Sequence, residues 1–269
     1  MISRTWLKEV ASEADQVGFC GGTVVGCSFR SPEKESHNED AAVLIELSPT
    51  HGVLAVADGV GGQNAGDRAA EATIESIIGH CGRAEPGSQL RMHLLDAIES
   101  ANRKILGWGL GAGATVVVAE YREGSVRIIH VGDAGAIVCS NRGNIKFTAV
   151  AHAPIAMAVE IGMLNEEEGL AHEDRNLISN CVGAEDMKIE IGPRLKMAKR
   201  DTLVLASDGL FDNLTSEEII RSIRAGQFKA QVGNLIDKSR SRMLGRNELI
   251  GKADDLTVLC FRKNPTTIV

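Results

Sequence analysis

Three aspartates stand at or one residue after the ends of short apolar runs that are typical of strands, and each is next to a glycine. Glycine lets the chain turn sharply, so a carboxylate and a neighbouring backbone carbonyl can approach one cation. An isolated Asp-Gly pair is usually only a turn, but its recurrence at three strand ends weakens that explanation. The three pairs are Asp58-Gly59, Gly132-Asp133 and Asp208-Gly209.

Two more acidic pairs stand directly before apolar runs, and folding can bring them together with the three strand-end aspartates. Clustered carboxylates repel each other unless a cation neutralises them. Oxygen ligands without His or Cys favour Mg²⁺, Mn²⁺ or Ca²⁺ over zinc. The additional pairs are Glu39-Asp40, before residues 41–47, and Asp254-Asp255, before residues 256–262.

A binuclear Mg²⁺ or Mn²⁺ site follows from this set of ligands. Two such ions lower the pKa of a bridging water, orient a phosphoryl group and stabilise charge on the attacking and leaving oxygens. The matching chemistry is the hydrolysis of a phosphate ester.

The elements that must position these residues are mostly strands. Strict alternation of strands and helices is missing, which favours antiparallel sheets with helices outside them over a parallel doubly wound sheet. Thr215 followed by Glu218 has the pattern of a helix capping box. The predicted strands are 23–29, 41–47, 52–57, 114–121, 125–131, 136–140, 145–150, 188–191, 202–206 and 256–262, and the predicted helices are 4–16, 66–80, 89–106, 216–224 and 228–244.

Composition limits the classes of partner. The formal net charge of −7 argues against nucleic acid and anionic membranes, which need clustered Lys and Arg. No apolar run approaches the ~20 residues of a membrane span, and the N-terminus has no stretch of signal-peptide type. The six cysteines show no C-x-x-C pair, so reduced thiols are expected. We therefore predict a cytoplasmic protein without a nucleic-acid or membrane partner.

The length of 269 residues fits one domain, and no repeat or low-complexity linker divides it. Residues 152–183 are polar, acidic and only weakly periodic. Long irregular insertions in compact domains are often functional, so we expect this stretch, called the flap segment below, to lie over or beside a site.

Six motifs in chain order resemble those of the protein phosphatase 2C (PPM) family of metal-dependent Ser/Thr phosphatases, in particular its bacterial single-domain members. The resemblance covers about residues 22–262 and includes the flap segment, with its Gly162, Glu166, Glu167, Arg175-Asn176 and Gly183. The other motifs are Asn38-Glu39-Asp40-Ala41, Val56-Ala57-Asp58-Gly59-Val60-Gly61-Gly62, Gly113-Ala114-Thr115 with Val131-Gly132-Asp133-Ala134, Ser207-Asp208-Gly209-Leu210-Phe211-Asp212, and Asp254-Asp255-Leu256-Thr257.

This resemblance implies an α+β fold of four layers, in which two central antiparallel sheets are packed as a sandwich with helices on both outer faces. It implies that Asp58 bridges two Mg²⁺ or Mn²⁺ ions, that the Gly59 carbonyl binds one of them, and that Asp208 and Asp254 bind the other. Asp133 is expected to share a weaker third site with Asp208.

The first acidic motif has a supporting role by the same resemblance. Glu39 and Asp40 are expected to hold metal-bound waters, a task that tunes the nucleophile. Asp58, Asp208 and Asp254 are then the central residues of catalysis, and no covalent phosphoenzyme is expected.

The chain departs from the family pattern at three positions, which concern substrate phosphate, the general acid and the metals. Glu35 stands where the family commonly has an Arg, whose guanidinium grips phosphate with two hydrogen bonds. Lys34 and His37 are the candidate replacements, although surface roles suit them too. Val60 occupies the position of a His that some eukaryotic members carry, and Asp255 replaces the usual Asn.

The leading hypothesis is hydrolysis of phosphoserine or phosphothreonine on proteins, opposing a Ser/Thr kinase. A catalytically weak binding or regulatory module is the first alternative, suggested by Glu35. The second is a phosphatase for another ester, either a small-molecule monoester or a nucleic-acid diester, and the acidic net charge weakens the nucleic-acid version.

Overall fold

Strands form the centre of the molecule. The computed structural model describes residues 2–7, 13–32, 34–60, 65–84, 89–224, 226–246 and 251–264. Within them lie strands β1 (Ile2–Leu7), β2 (Asp15–Phe19), β3 (Gly22–Phe29), β4 (Asp40–Ser48), β5 (His51–Gly59), β6 (Ala114–Arg122), β7 (Ser125–Val131), β8 (Gly135–Cys139), β9 (Ile145–Thr148), β10 (Glu190–Ile191), β11 (Leu195–Lys196), β12 (Thr202–Ala206) and β13 (Leu256–Lys263).

The strands form two sheets whose pairings within the described ranges are antiparallel. The first sheet has the order β1-β4-β5-β6-β7-β10, with β11 also paired to β7, and the second has the order β2-β3-β13-β12-β8-β9. The helices are α1 (Gly66–Cys81), α2 (Leu90–Leu106), α3 (Pro154–Glu160), α4 (Glu166–Ala171), α5 (Asp208–Phe211), α6 (Ser216–Ile223) and α7 (Phe228–Met243).

Successive side chains of a strand point to opposite faces of its sheet, and here both faces are buried. In β4, Val43 and Ile45 pack against α1 and α2, whereas Leu44 faces the second sheet. A third apolar layer joins the outer face of the second sheet to α6 and α7. The resulting order of layers is α-β-β-α, which confirms the expected sandwich.

The predicted strands are all present, with ends that differ from the predicted ones by at most two residues. The capping box at α6 is also confirmed, because Thr215 accepts from the Glu218 backbone N–H and the Glu218 side chain accepts from the Thr215 N–H. In the described part of the chain, no helix is both long enough and apolar enough to cross a bilayer.

The helix predicted over residues 4–16 was wrong. The described parts of that stretch lie in β1, which pairs with β4, and in β2, which pairs with β3, while residues 8–12 lie outside the described part of the chain. Trp6 is buried opposite Ala42. Pairing with a neighbouring strand and burial of the indole therefore override the local helical pattern.

Candidate active site

Sheet register brings the predicted acidic residues to one edge of the sandwich. Asp40 begins β4 and lies opposite Asp58 near the end of β5, which in turn lies opposite Thr115 at the start of β6. In the second sheet, β12 ends at Ala206 beside the start of β8, so Asp208 and Asp133 emerge close to each other.

Two glycines allow the loops at this edge to approach closely. A Cβ on Gly59 would lie 2.4 Å from the Gly66 carbonyl carbon at the start of α1. A Cβ on Gly209 would lie 2.0 Å from the carbonyl oxygen of Asp255. Neither position can therefore carry a side chain without moving the backbone that presents Asp58, Asp208 and Asp255.

The edge encloses a cavity of about 230 Å³. Six of the lining residues are acidic residues of the predicted pairs, and Asn176 and Ile178 come from the flap segment. The lining residues are Glu39, Asp58, Gly59, Val60, Thr115, Asp133, Asn176, Ile178, Asp208, Lys252, Asp254 and Asp255.

Burial and mutual repulsion destabilise the charged forms of the carboxylates in this cavity. Burial and the neighbouring aspartates raise the pKa of Asp58 well above its ordinary value. Burial and the charge of Asp208 raise the pKa of Asp133 to about 8 and that of Asp254 to about 6. Burial also raises the pKa of Asp208, although Lys252 opposes this effect. Such a cluster gains free energy from any cation that neutralises it.

Asp40 lies beside this cavity rather than among its lining residues. Its Oδ2 accepts a hydrogen bond from the Ser207 hydroxyl at 2.8 Å, which links the two sheets. Its Oδ1 is buried and has no hydrogen-bond partner among the described residues. A buried oxygen without a partner is costly, and a metal ion or its bound water is a partner of the right kind. The residues present therefore fit hard divalent ions.

Lys34 and His37, the candidate phosphate ligands, lie in different environments. The Lys34 ammonium contacts Glu39 and lies 2.8 Å from Asp255 Oδ2. Burial would lower the pKa of Lys34, but hydrogen bonds to Asp255 and Glu39 outweigh that effect and raise it. The His37 side chain is exposed and is not among the cavity's lining residues.

Sequence reasoning overlooked Lys252 and left Asp212 without a role. The Lys252 ammonium lies 2.6 Å from Asp208 Oδ2, 2.7 Å from Asp212 Oδ2 and 3.1 Å from Asp254 Oδ2. The position of Lys252, two residues before a predicted metal ligand, was an available signal. A lysine in a surface loop is ordinarily solvated, however, so the spacing alone did not distinguish it.

A histidine pair anchors the beginning of the flap segment. The rings of His130 and His152 stack with centroids 4.7 Å apart. His152 Nδ1 accepts from the Gly132 N–H at 3.1 Å, and its Nε2 lies 3.2 Å from Glu190 Oε2. His130, His152 and Glu190 are of types that bind metal, but both nitrogens of His152 already have these partners. The pair therefore ties the flap segment to the loop that presents Asp133.

Comparison with known proteins identifies the family. The sequence model described as protein phosphatase 2C matches residues 31–243. The chain belongs to the protein phosphatase 2C family. It is 27% identical over 241 residues to the serine/threonine phosphatase Stp of Listeria welshimeri, a match that covers 85% of this chain and 91% of the relative.

Solved structures of bacterial phosphatases share the fold. The serine/threonine phosphatase of S. agalactiae superposes with a TM-score of 0.76 at 23% identity and covers 89% of this chain and 98% of its own. The catalytic domain of PstP, solved in complex with two manganese ions, superposes with a TM-score of 0.71 at 22% identity and covers 89% and 96%. At such identities these matches establish the architecture of this protein phosphatase 2C member.

Proposed function

We propose that this protein phosphatase 2C member hydrolyses phosphoserine and phosphothreonine on proteins with the help of divalent metal ions. The observation that carries the proposal is the cavity of about 230 Å³ around which carboxylates converge from both sheets. Family membership supports the same reaction.

The metal-binding roles belong to the strand-end residues. Asp58 is proposed to bridge two Mn²⁺ or Mg²⁺ ions, with the Gly59 carbonyl on one of them and Asp208 and Asp254 on the other. Asp133 is proposed to contribute with Asp208 to a weaker third position. When bound, such ions activate water and stabilise the charge that develops on phosphate. The all-oxygen set of donors at this cavity supports Mn²⁺ or Mg²⁺ over zinc.

The remaining residues position these ligands. Asp40 is held by Ser207, so its unpartnered Oδ1 keeps a defined direction for a metal-bound water. Glu39 lines the cavity and its backbone N–H is fixed by Asp255 Oδ2 at 2.7 Å. Both are proposed to orient metal-bound waters, and Lys34 is proposed to neutralise Glu39 and Asp255 rather than to grip phosphate.

The flap segment is proposed to form one wall of the substrate entrance of a single phosphatase domain. Asn176 and Ile178 reach the cavity, while the segment is anchored at its beginning by His152 and near its end by the bridge between Ala114 and Val182. The partner is then a phosphorylated protein whose kinase modifies Ser or Thr. A cytoplasmic location agrees with the six free cysteines.

The test is phosphate release from a phosphothreonine peptide with Mn²⁺, with Mg²⁺ and with excess EDTA. We expect release with either ion and none in EDTA. Asp58→Asn should abolish it. Asp201→Asn should retain it, because it alters a buried aspartate that pairs with Lys146 just before β12, at the opposite end of that strand from Asp208. No release by folded wild-type protein with any of the metals would contradict the proposal.

Glu35 keeps one alternative open, a binding module with little turnover. Its side chain is exposed, and among the described lining residues of the cavity the basic one is Lys252. Metal binding by calorimetry without phosphate release would favour that module. Release from a small-molecule monoester but not from the phosphopeptide would favour a different ester substrate.

A further inference from the structure

The Lys252 ammonium is surrounded by carboxylates that compensate its charge and accept its hydrogen bonds. An ammonium group has three N–H donors, and here three carboxylates lie within 3.1 Å of it, those of Asp208, Asp212 and Asp254. The side chain is only 21% exposed. The ammonium thus neutralises carboxylates in the way that a small bound cation does.

The backbone of Lys252 is fixed independently of this contact. The buried side chain of Asn213 accepts from the Lys252 N–H at 2.9 Å and donates to the Lys252 carbonyl at 2.9 Å. The same Asn213 amide donates to the Gly209 carbonyl at 3.0 Å, next to Asp208. One side chain therefore holds both the lysine and the loop that carries its main carboxylate partner.

Two arginines hold the surrounding loop. Arg175 donates to the Gly251 carbonyl at 3.3 Å, and Arg242 donates to the Asn213 carbonyl. A Cβ on Gly251 would lie 2.1 Å from the Arg242 carbonyl oxygen, so glycine permits the loop to pass close to the end of α7. These contacts give Lys252 a defined approach to the cluster.

We propose that the Lys252 ammonium, held by Asp208, Asp212 and Asp254, permanently takes the place of the weaker third divalent cation beside Asp208. The metal centre then binds one ion fewer than its carboxylates can accommodate. This inference rests on the proposed function, because it assumes that the same cluster binds divalent ions, and it assigns the third position of that cluster to the ammonium instead of to an ion.

The fixed backbone explains why the ammonium stays when metal binds. A divalent ion that displaced the ammonium would have to move the largely buried Lys252 side chain, whose backbone is held by Asn213. The displaced ammonium would also remain close to the bound metal ions, which carry charge of the same sign. Asp58 and the Gly59 carbonyl lie outside the contacts of Lys252 and remain free of it for ions.

The experiment counts bound ions by equilibrium dialysis against Mn²⁺ followed by elemental analysis. We expect about two Mn²⁺ per wild-type chain, as in a two-ion hydrolase, and about three in Lys252→Met, whose side chain is unbranched and uncharged. Lys146→Met is the matched control, since Lys146 pairs with the buried Asp201 away from the site, and it should bind the wild-type number.

Thermal unfolding in EDTA gives a second measurement. Without the ammonium the carboxylates repel each other, so Lys252→Met should melt roughly 5 °C below wild type in EDTA and recover in Mn²⁺. Circular dichroism verifies that the variant is folded.

Three Mn²⁺ in the wild-type chain would overturn the inference without needing any variant. An unchanged count in Lys252→Met would also overturn it, even with tighter binding, because it would mean that the ammonium is displaced by metal. A wild-type chain that binds no Mn²⁺ and releases no phosphate would instead contradict the proposed function.

Discussion

Two acidic clusters share one edge of the sandwich, and each contains a lysine. In the inner cluster, Lys252 contacts Asp208, Asp212 and Asp254. In the outer cluster, Lys34 contacts Glu39 and Asp255. The two clusters use the same residue types, but their carboxylates have different additional partners.

Backbone donors account for the difference. Asp255 accepts from the N–H groups of Ser31 and Glu39, each at 2.7 Å, and its side chain is 3% exposed. Burial raises the pKa of Asp208 and Asp212 in the inner cluster, although Lys252 opposes the effect for both. Asp255 therefore acts as a structural bridge between loops, whereas the inner carboxylates still gain from binding cations. Four predictions test this comparison.

The largest effect is expected from Asp208→Asn in the inner cluster. The amide removes a negative charge and one metal-ligand oxygen, so turnover should fall by more than the roughly 10–100-fold typical of residues that only support a metal ligand. Phosphate release at saturating Mn²⁺ measures this. The folded state should persist, as shown by an unfolding transition in EDTA no lower than that of wild type. Retention of near-normal turnover would contradict the assignment of Asp208.

Asp255→Asn should instead reduce stability. The amide NH₂ would face either the Ser31 N–H or both the Glu39 N–H and the Lys34 ammonium, leaving buried donors without an acceptor, at a cost of about 1–3 kcal/mol. Urea unfolding measures the change. The double variant Lys34→Met/Asp255→Asn should lose less than the sum of the single variants, because the two side chains are in contact. If the losses of stability in the two single variants add exactly in the double variant, Lys34 and Asp255 are not coupled and the outer cluster is not a unit.

A third acidic group, Glu218 in the first turn of α6, gives a reference for a carboxylate whose charge is compensated by hydrogen bonds. Arg242 donates to both oxygens of Glu218, at 2.9 Å and 2.8 Å. Burial alone would raise the pKa of Glu218, but the hydrogen bonds from Arg242 and Lys238 outweigh it and lower the pKa to about 2.

A lowered folded-state pKa stabilises the protein above the unfolded-state value, and this stabilisation is lost as pH falls. Glu218→Gln should therefore cost about 1 kcal/mol near neutral pH, a value reduced by solvent screening. The difference in Tm between wild type and variant should shrink between pH 4.5 and about 2. A difference that does not change over this window would disprove the assignment of the shift to Glu218.

The smallest effect is expected from Lys34→Met. Asp255 keeps its two backbone donors, so the loss of stability should stay below about 1 kcal/mol. If Lys34 serves the outer cluster, KM for a phosphopeptide should change less than about threefold, as it should in the control His37→Ala, which alters an exposed side chain. A KM that rises at least tenfold only in Lys34→Met would identify Lys34 as the phosphate ligand after all.

The site could be predicted largely because its residues follow from strand ends. Asp58, Asp133 and Asp208 each come at or one residue after the end of an apolar run. Antiparallel pairing places the end of one strand beside the start of its neighbour, as it places Asp58 beside Asp40 and Ala206 beside Gly135. The strands themselves were predictable because both faces of each sheet are buried, which produces continuous apolar runs. Residues 4–16 were predicted wrongly because their local pattern suits a helix while their partners, β3 and β4, lie elsewhere in the chain.

The sequence by itself determined antiparallel sheets with helices outside them, the acidic character of the site and its preference for hard divalent ions, since these depend on residue type and on local periodicity. The four-layer sandwich was predicted from the family resemblance. Only the tertiary structure decided how the charges are compensated. Lys252 approaches its partner Asp208 across 44 positions of the chain, and Lys34 approaches Asp255 across 221. Contacts between such distant residues leave no periodic trace in the sequence, because they depend on how loops from two sheets meet.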